Sequence, residues 1–342
     1  MRKGWFAKMK HRTHGKKRLF WILAGIVLIY CAILLVFHSI DQRFAGNDDN
    51  ENYGDLTGRF PAKYSVEYNG RIYEYRDKQL VNILLLGIDT RDGVTHTEGR
   101  YGNQADFILL LSIDKQNKTI KPIHIDRDTM TDISIYGPFG DPVGSRVMQL
   151  CLAQAYGNDT SGGSLNTEKA VSDLFAGIPI DYYVTMDLDG ISTFNDALGG
   201  VTVTLEDDFS QIDPEMVKGT TICLQGKQAE IFVRNRRDVS DGTNAMRMRR
   251  QRLYMDSALA ILLERMSSDL DFIGNLYDSL GEDLTTDMER GFLINEAYKY
   301  CQYARGDILT LAGFHSVGSD GFVEFYPDRQ ALNAFIVDTF FE

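Results

Sequence analysis

Apolar runs alternate along the chain with polar segments, and each run is read first for its length and period. Leu19 to Phe37 holds nineteen uncharged, almost wholly apolar residues, about 28 Å of helix at ~1.5 Å per residue, which matches a hydrocarbon core of about 30 Å. A membrane span is predicted there. A cleaved signal peptide fits less well, because the run exceeds an h-region of roughly 7 to 15 residues and no small-x-small pattern follows at once. His38 to Pro61 is polar around Asp48-Asp49-Asn50-Glu51-Asn52 and reads as a solvated tether. Tyr64, Val66 and Tyr68, then Asn69-Gly70, then Ile72, Tyr73 and Tyr75 predict a small β-hairpin within 62–78, because Asn-Gly tolerates positive φ at both turn positions.

From residue 79 the pattern changes to that of a larger domain running to the C-terminus. Val81 to Leu86, ended by Gly87, and Asp106 to Ile113 are continuous apolar runs, as expected of strands covered on both faces. A five-residue polar loop, 114–118, then leads into Thr119 to Ile125, so an antiparallel pair is expected, with Ile113 facing Thr119. Helices are predicted near Ser145 to Tyr156, Thr167 to Phe175, Asp187 to Leu198, Asn244 to Met266, Phe272 to Leu280, Asp287 to Ala304 and Asp328 to Phe341. Further strands are predicted at Ile180 to Met186, Val201 to Leu205, Ile308 to Leu311 and Phe322 to Phe325. Helices interleaved with a mixed sheet predict a three-layer α/β/α sandwich preceded by one transmembrane helix.

Charge sharpens this picture. Residues 1–18 carry eight Lys/Arg and no acid, so the chain's net charge of −12 leaves −20 for the remainder. A basic cluster directly before an apolar span keeps residues 1–18 in the cytoplasm and sends the rest outward. An acidic domain of this size is a poor nucleic-acid binder, since such binding rests on Lys/Arg at phosphates. Cys31 lies in the span. Cys151, Cys223 and Cys301 lack metal-ligand spacing and are assigned to packing, with one disulfide possible.

No nucleophile elbow, Walker loop, dinucleotide fingerprint or metalloprotease His pair is present. What stands out is Arg and Asp. Between 234 and 252 lie seven Arg, no Lys and only Asp238 and Asp241, and guanidinium forks suit phosphate oxygens. Stepping back from Tyr254 by helical spacing places Arg250 and Arg247 on the inward face of the predicted helix, where each needs an anion, either a protein carboxylate or a phosphate. Asp89 follows one buried strand and Asp106 opens the next, and strand ends are where open α/β sheets place ligands. The expected register sets Asp106 beside Asp126 and Arg127. Asp89 and Asp106 with Arg127 could hold a hard divalent cation such as Mg²⁺ that keeps waters and bridges substrate phosphates.

In order, Asn82-Ile-Leu-Leu-Leu-Gly-Ile-Asp-Thr-Arg91, Ala105-Asp106, Ile125-Asp-Arg127-Asp128-Thr129, Gly177-Ile-Pro-Ile-Asp181-Tyr182-Tyr183, Asp196-Ala-Leu-Gly-Gly-Val201, Val233-Arg234-Asn-Arg236 and Arg247-Met-Arg-Arg250-Gln251 resemble the LytR-CpsA-Psr family. The resemblance runs from about residue 79 to 262. It implies a membrane-anchored extracytoplasmic phosphotransferase of Gram-positive bacteria that moves a teichoic acid, capsule or similar glycopolymer from undecaprenyl pyrophosphate to peptidoglycan. By position, it implies Mg²⁺ on Asp89 and Asp106. It implies pyrophosphate binding by Arg91, Arg127, Arg234, Arg236 and Arg247, to which we add Arg100, Arg250 and Gln251, with Arg127, Arg234, Arg236 and Arg247 stabilising charge during transfer. An apolar groove for the lipid is expected beside Val147 to Tyr156 and Val171 to Phe175.

Three departures qualify the resemblance. Gln104 stands where many members carry an Arg, leaving Arg100 as a substitute. Asp126 replaces a Pro, adds negative charge near the phosphates and could serve as a further Mg²⁺ ligand. Asn244 stands where an Asp suspected of deprotonating the acceptor is frequent; Asp238 or Asp241 could take over, or the rate could simply be lower. The alternative is a non-catalytic polyprenyl-pyrophosphate or wall-polymer binding protein, for which turnover is the discriminating measurement.

Overall fold

The computed structural model describes residues 65–342 apart from Lys78, 90–103, 138–140, Asn158, Arg237, Asp238, Ser240 and Asp241. The predicted span at 19–37 lies outside the described residues, and so do Arg91 and Arg100. Among the described residues no helix is long and apolar enough to cross a membrane.

The first elements are β1 (Ser65–Tyr68) and β2 (Arg71–Glu74), antiparallel with Tyr68 opposite Arg71. Asn69 (φ 52°) and Gly70 (φ 73°) make the turn, the left-handed pair that the dipeptide predicts. Next come β3 (Leu80–Ile88), β4 (Ala105–Asp114) and β5 (Thr119–His124), then β6 (Met130–Tyr136) and β7 (Pro142–Gln149) as a separate antiparallel pair. Helices α1 (Leu152–Ala155) and α2 (Thr160–Leu174) carry the chain back to β8 (Tyr182–Asp187), which lies parallel to β3. Asp159 caps α2 by accepting from the Gly162 N–H, and Gly199 in the left-handed region (φ 87°) ends α3 (Leu188–Leu198), as the Gly199-Gly200 pair predicts.

A second group follows: β9 (Val201–Thr204), β10 (Thr221–Leu224), α4 (Lys227–Arg234) and the long α5 (Asn244–Ser268). With α3 they share a core that includes Phe209, Phe232 and Tyr254. The chain closes with α6 (Phe272–Leu280), β11 (Leu284–Thr286), α7 (Arg290–Tyr300), β12 (Ala304–Arg305), the hairpin β13 (Gly313–Val317) and β14 (Val323–Pro327), and α8 (Arg329–Phe340).

The six-stranded sheet has the order β11-β8-β3-β4-β5-β12 and is mixed. Helices cover both of its faces. Leu84, Leu86, Ile108 and Leu110 pack against Ala170 and Val171 of α2 and Ile336 and Phe340 of α8, while Ile83 and Ile113 meet Tyr300 of α7 on the other side. The continuous apolar runs of β3 and β4 are therefore explained by burial on both sides. Register differs from expectation by one residue: Ile113 faces Ile120 and Asp114 faces Thr119. The connection is the four-residue turn Lys115 to Lys118, in which Asp114 Oδ1 accepts from the Gln116 and Asn117 N–H groups and Lys118 takes φ 53°.

Several expectations are corrected. In the helix expected over Ser145 to Tyr156, residues 145–149 are strand β7 and only Leu152–Ala155 is helical. Ile308 to Leu311 forms no strand beyond a single bridge between Ile123 and Leu309. Val171 and Phe175 are fully buried in the core and so cannot face a groove, while Val147 is exposed on β7. Cys151, Cys223 and Cys301 are all free thiols.

Candidate functional site

At the end of β3, Gly87 lets β4 pass closely: a Cβ there would meet the Phe107 Cβ at 3.0 Å. The register shifts at this point, and the Asp89 N–H donates to the Gln104 carbonyl at 3.2 Å. The bulge thus sets Asp89 next to the segment that opens β4 with Ala105 and Asp106. One strand further, the loop after β5 carries Asp126, Arg127 and Asp128.

Two guanidinium groups converge on Asp106. Arg127 Nη1 bonds its Oδ1, and Arg247 Nη1 reaches its Oδ2 at 2.8 Å. Arg127 Nη2 also bonds Gln104 Oε1 and lies 3.0 Å from Cys151 Sγ. The Gln at 104 therefore acts as an acceptor for Arg127. Arg127 Nε is within 3.3 Å of Asp128 Oδ1, but at an angle too poor for a hydrogen bond, and Nε of both Arg127 and Arg247 is buried without a partner. Such unmet donors are uncommon in protein interiors.

Arg247 lies on the first turn of α5, whose N-cap Thr243 accepts from the Met246 N–H at 3.3 Å. Its side chain is only 2% exposed. Burial, followed by the neighbouring charges of Arg127 and Arg236, pulls its pKa down to about 9, a direction that a bound anion would reverse. Arg236 acts electrostatically on Asp128 as well, so Arg127, Arg236 and Arg247 form one neighbourhood. Arg234 ends α4 at the rim, 34% exposed, where it pairs with Asp89 at 3.0 Å and Glu230 at 2.8 Å. Arg234 is the last residue of α4, and Arg236 lies beyond the helix end.

The other expected residues have different partners. Arg250 donates to Asp207 (2.9 Å), the Phe232 carbonyl (3.1 Å) and the Asn235 carbonyl. Gln251 donates to the Val233 carbonyl at 3.3 Å. In place of the phosphate ligands expected, both tie α5 to the end of α4. Asp126 departs from expectation too: its Oδ1 accepts from Asn244 Nδ2 (2.7 Å) and the Asp128 N–H (2.9 Å), and its Oδ2 meets His315 Nε2 (2.9 Å), leaving it ill disposed to a cation. His315, on β13, carried no signal in the sequence. Asp89 and Asp106 are all-oxygen donors on adjacent strand ends, a set suited to a hard divalent cation that also takes substrate phosphates and waters. Among the described residues no group of three or more His, Cys, Asp or Glu could hold a metal by itself.

Together these features define an α/β protein with arginines and carboxylates interlocked at the strand ends of a mixed sheet. The chain belongs to the LytR_cpsA_psr family, whose model matches residues 45–335. A protein of Oceanobacillus iheyensis named polyisoprenyl-teichoic acid–peptidoglycan teichoic acid transferase TagU is 31% identical over 313 residues, 89% of this chain and 88% of that protein. The protein of the same name from Bacillus cereus strain AH820 is 25% identical over 326 residues, 92% of this chain and 93% of that protein. Among solved structures, TagV of B. subtilis superposes with a TM-score of 0.58 at 25% identity, covering 77% of this chain and 97% of that one. Protein gbs0355 of Streptococcus agalactiae gives 0.61 at 23% identity, over 77% and 87%, a likeness of fold.

Proposed function

We propose that the protein is a membrane-anchored phosphotransferase that moves an anionic glycopolymer, such as a teichoic acid or capsule, from a polyprenyl-pyrophosphate carrier to peptidoglycan. The observation that carries this reading is the convergence of Arg127 and Arg247 on Asp106, with a buried Nε on each that makes no hydrogen bond, that of Arg127 lying 3.3 Å from Asp128 Oδ1. A diphosphate entering between them would displace Asp106 from its ion pairs and take up guanidinium donors that the protein leaves unmet. The name of the 31% identical relative supports the glycopolymer and the acceptor.

Phosphoryl transfer asks a protein mostly for positioning and for cations near the equatorial oxygens. Arg127, Arg247 and Arg236 would stabilise that charge, and Arg234 would orient the donor from the rim. Asp89 and Asp106 would hold Mg²⁺, which when bound would supply positive charge beside the phosphates. Leu19 to Phe37 would anchor the chain with its N-terminus in the cytoplasm. With full-length protein, a polyprenyl-diphosphate saccharide donor and peptidoglycan fragments, Arg127→Ala should abolish transfer. Unchanged transfer would remove the mechanism, and donor retained by the wild-type chain without any turnover would favour the binding-protein alternative.

A further inference from the structure

A hydroxyl that attacks phosphorus must give up its proton, and the arginines of the site cannot take it. Asp106 and Asp89, paired here with Arg127, Arg247 and Arg234, are the carboxylates given to Mg²⁺ in the reading above. Asn244 has no basic atom, and its amide is fully engaged between Arg247 Nη2 (2.6 Å) and Asp126. His124, at the end of β5, lines the same cavity as His315 but is only 1% exposed. Asp126 is buried with both oxygens hydrogen-bonded. His315 is different: its side chain is 39% exposed while its carboxylate partner is 8% exposed.

We propose that His315 is the general base of the transfer reaction, and that Asp126 is the positioning residue that orients it. The inference rests on the phosphotransferase reading above. The hairpin that carries His315 is fixed to the site by its own backbone: the Phe325 N–H of β14 donates to the Asp128 carbonyl at 2.8 Å, and Phe325 bridges Thr129. The His315 ring packs on Phe325 with centroids 4.9 Å apart. With Nε2–H donated to Asp126, Nδ1 is the nitrogen that accepts a proton, the arrangement by which a buried carboxylate selects a histidine tautomer. Asp126, Asn244 and Arg247 then link the imidazole to Asp106 through hydrogen bonds of 2.9, 2.7, 2.6 and 2.8 Å, and Asp106 is bonded in turn by Arg127. Beside His315 opens a cavity of about 170 Å³, lined in part by His124, Asp126, Met248, Arg252 and Phe325, which gives the acceptor sugar a place to enter.

The step balances without a co-reactant. The acceptor hydroxyl oxygen forms a bond to the sugar-proximal phosphorus, its proton passes to His315 Nδ1, and the bond from that phosphorus to the bridging oxygen breaks. Polyprenyl phosphate leaves with the electron pair, and the imidazolium returns its proton to solvent or to the leaving phosphate.

The test uses full-length protein, a short polyprenyl-diphosphate saccharide as donor and peptidoglycan fragments as acceptor, with donor binding measured separately. His315→Gln should lower the transfer rate by about 100-fold or more and leave donor affinity within about twofold, and added imidazole should restore part of the activity of His315→Ala. Wild-type transfer with an undiminished His315→Gln overturns the assignment alone. So does a loss of donor binding that accounts for the loss of rate, or an alanine variant that imidazole does not help. A wild-type chain that binds donor and never transfers it overturns the functional reading and this inference with it.

Discussion

Arg247 and Arg250 stand one turn apart on α5, both almost wholly buried, yet they have opposite surroundings. Arg250 has its Nε and both Nη atoms on protein acceptors, with Asp207 as its counter-charge and the Phe209 ring 5.4 Å away. Arg247 shares its carboxylate with Arg127, keeps one donor unpartnered and has a second arginine, Arg236, acting against its charge. Burial alone therefore does not mark a functional arginine. The mark is burial with incomplete compensation, because a protein that desolvates a charge without satisfying it has either lost stability or kept the charge for a ligand.

The contrast fails or sharpens first at Arg250. Arg250→Met would leave Asp207 buried without its counter-charge, and a loss of about 3 to 5 kcal/mol in chemical denaturation is expected. Arg247→Met should cost less than about 1 kcal/mol, because Asp106 retains Arg127 and a poorly compensated buried charge has been removed. Its effect should fall on chemistry instead, a drop of about 10² to 10³ in transfer rate. Equal destabilisation by the two substitutions would erase the distinction. Arg234 belongs to the same group but lies at the rim and is more than a third solvated, so Arg234→Ala should weaken donor use by only about tenfold, about 1.4 kcal/mol, read as a rise in KM.

Much of this site was legible because its parts are local. Asp89 and Asp106 sit at the ends of apolar runs that could only be buried strands, and Arg247 falls on the inward face by counting back from Tyr254. Arg250 falls on the same face, and nothing in its spacing separates it from Arg247. The difference lies in Asp207, Phe232 and Asn235, which reach it from other elements. His315 is invisible in the sequence for the same reason: Asp126 is 189 residues away in the chain, and a lone His beside a Phe carries no period. In the β7 segment Val147, Met148, Leu150 and Cys151 suit either period over so short a stretch, so the pattern alone predicts a helix as readily as a strand. Its pairing with β6, seen in Ile133 opposite Arg146, decides for strand.

Glu168 offers the reverse case, an acid whose electrostatic neighbours, Asp287 and Asp181, are also acids. Burial first, and then those two carboxylates, push its pKa up to about 7 from 4.5. The folded state therefore binds a proton that the unfolded chain has already released between about pH 4.5 and 7. Stability contributed by this side chain falls as pH rises through that window, and the deficit is complete above it. Glu168→Gln should accordingly stabilise the protein at pH 8 and leave it unchanged at pH 4. Because the side chain is only half-buried, solvent screening holds the gain to about 1 kcal/mol or less. Denaturation midpoints of the two proteins measured at both values check the sign. A gain at pH 4 equal to that at pH 8 would mean that packing and not charge is responsible, and that uncompensated charge away from the arginine cluster costs this fold little.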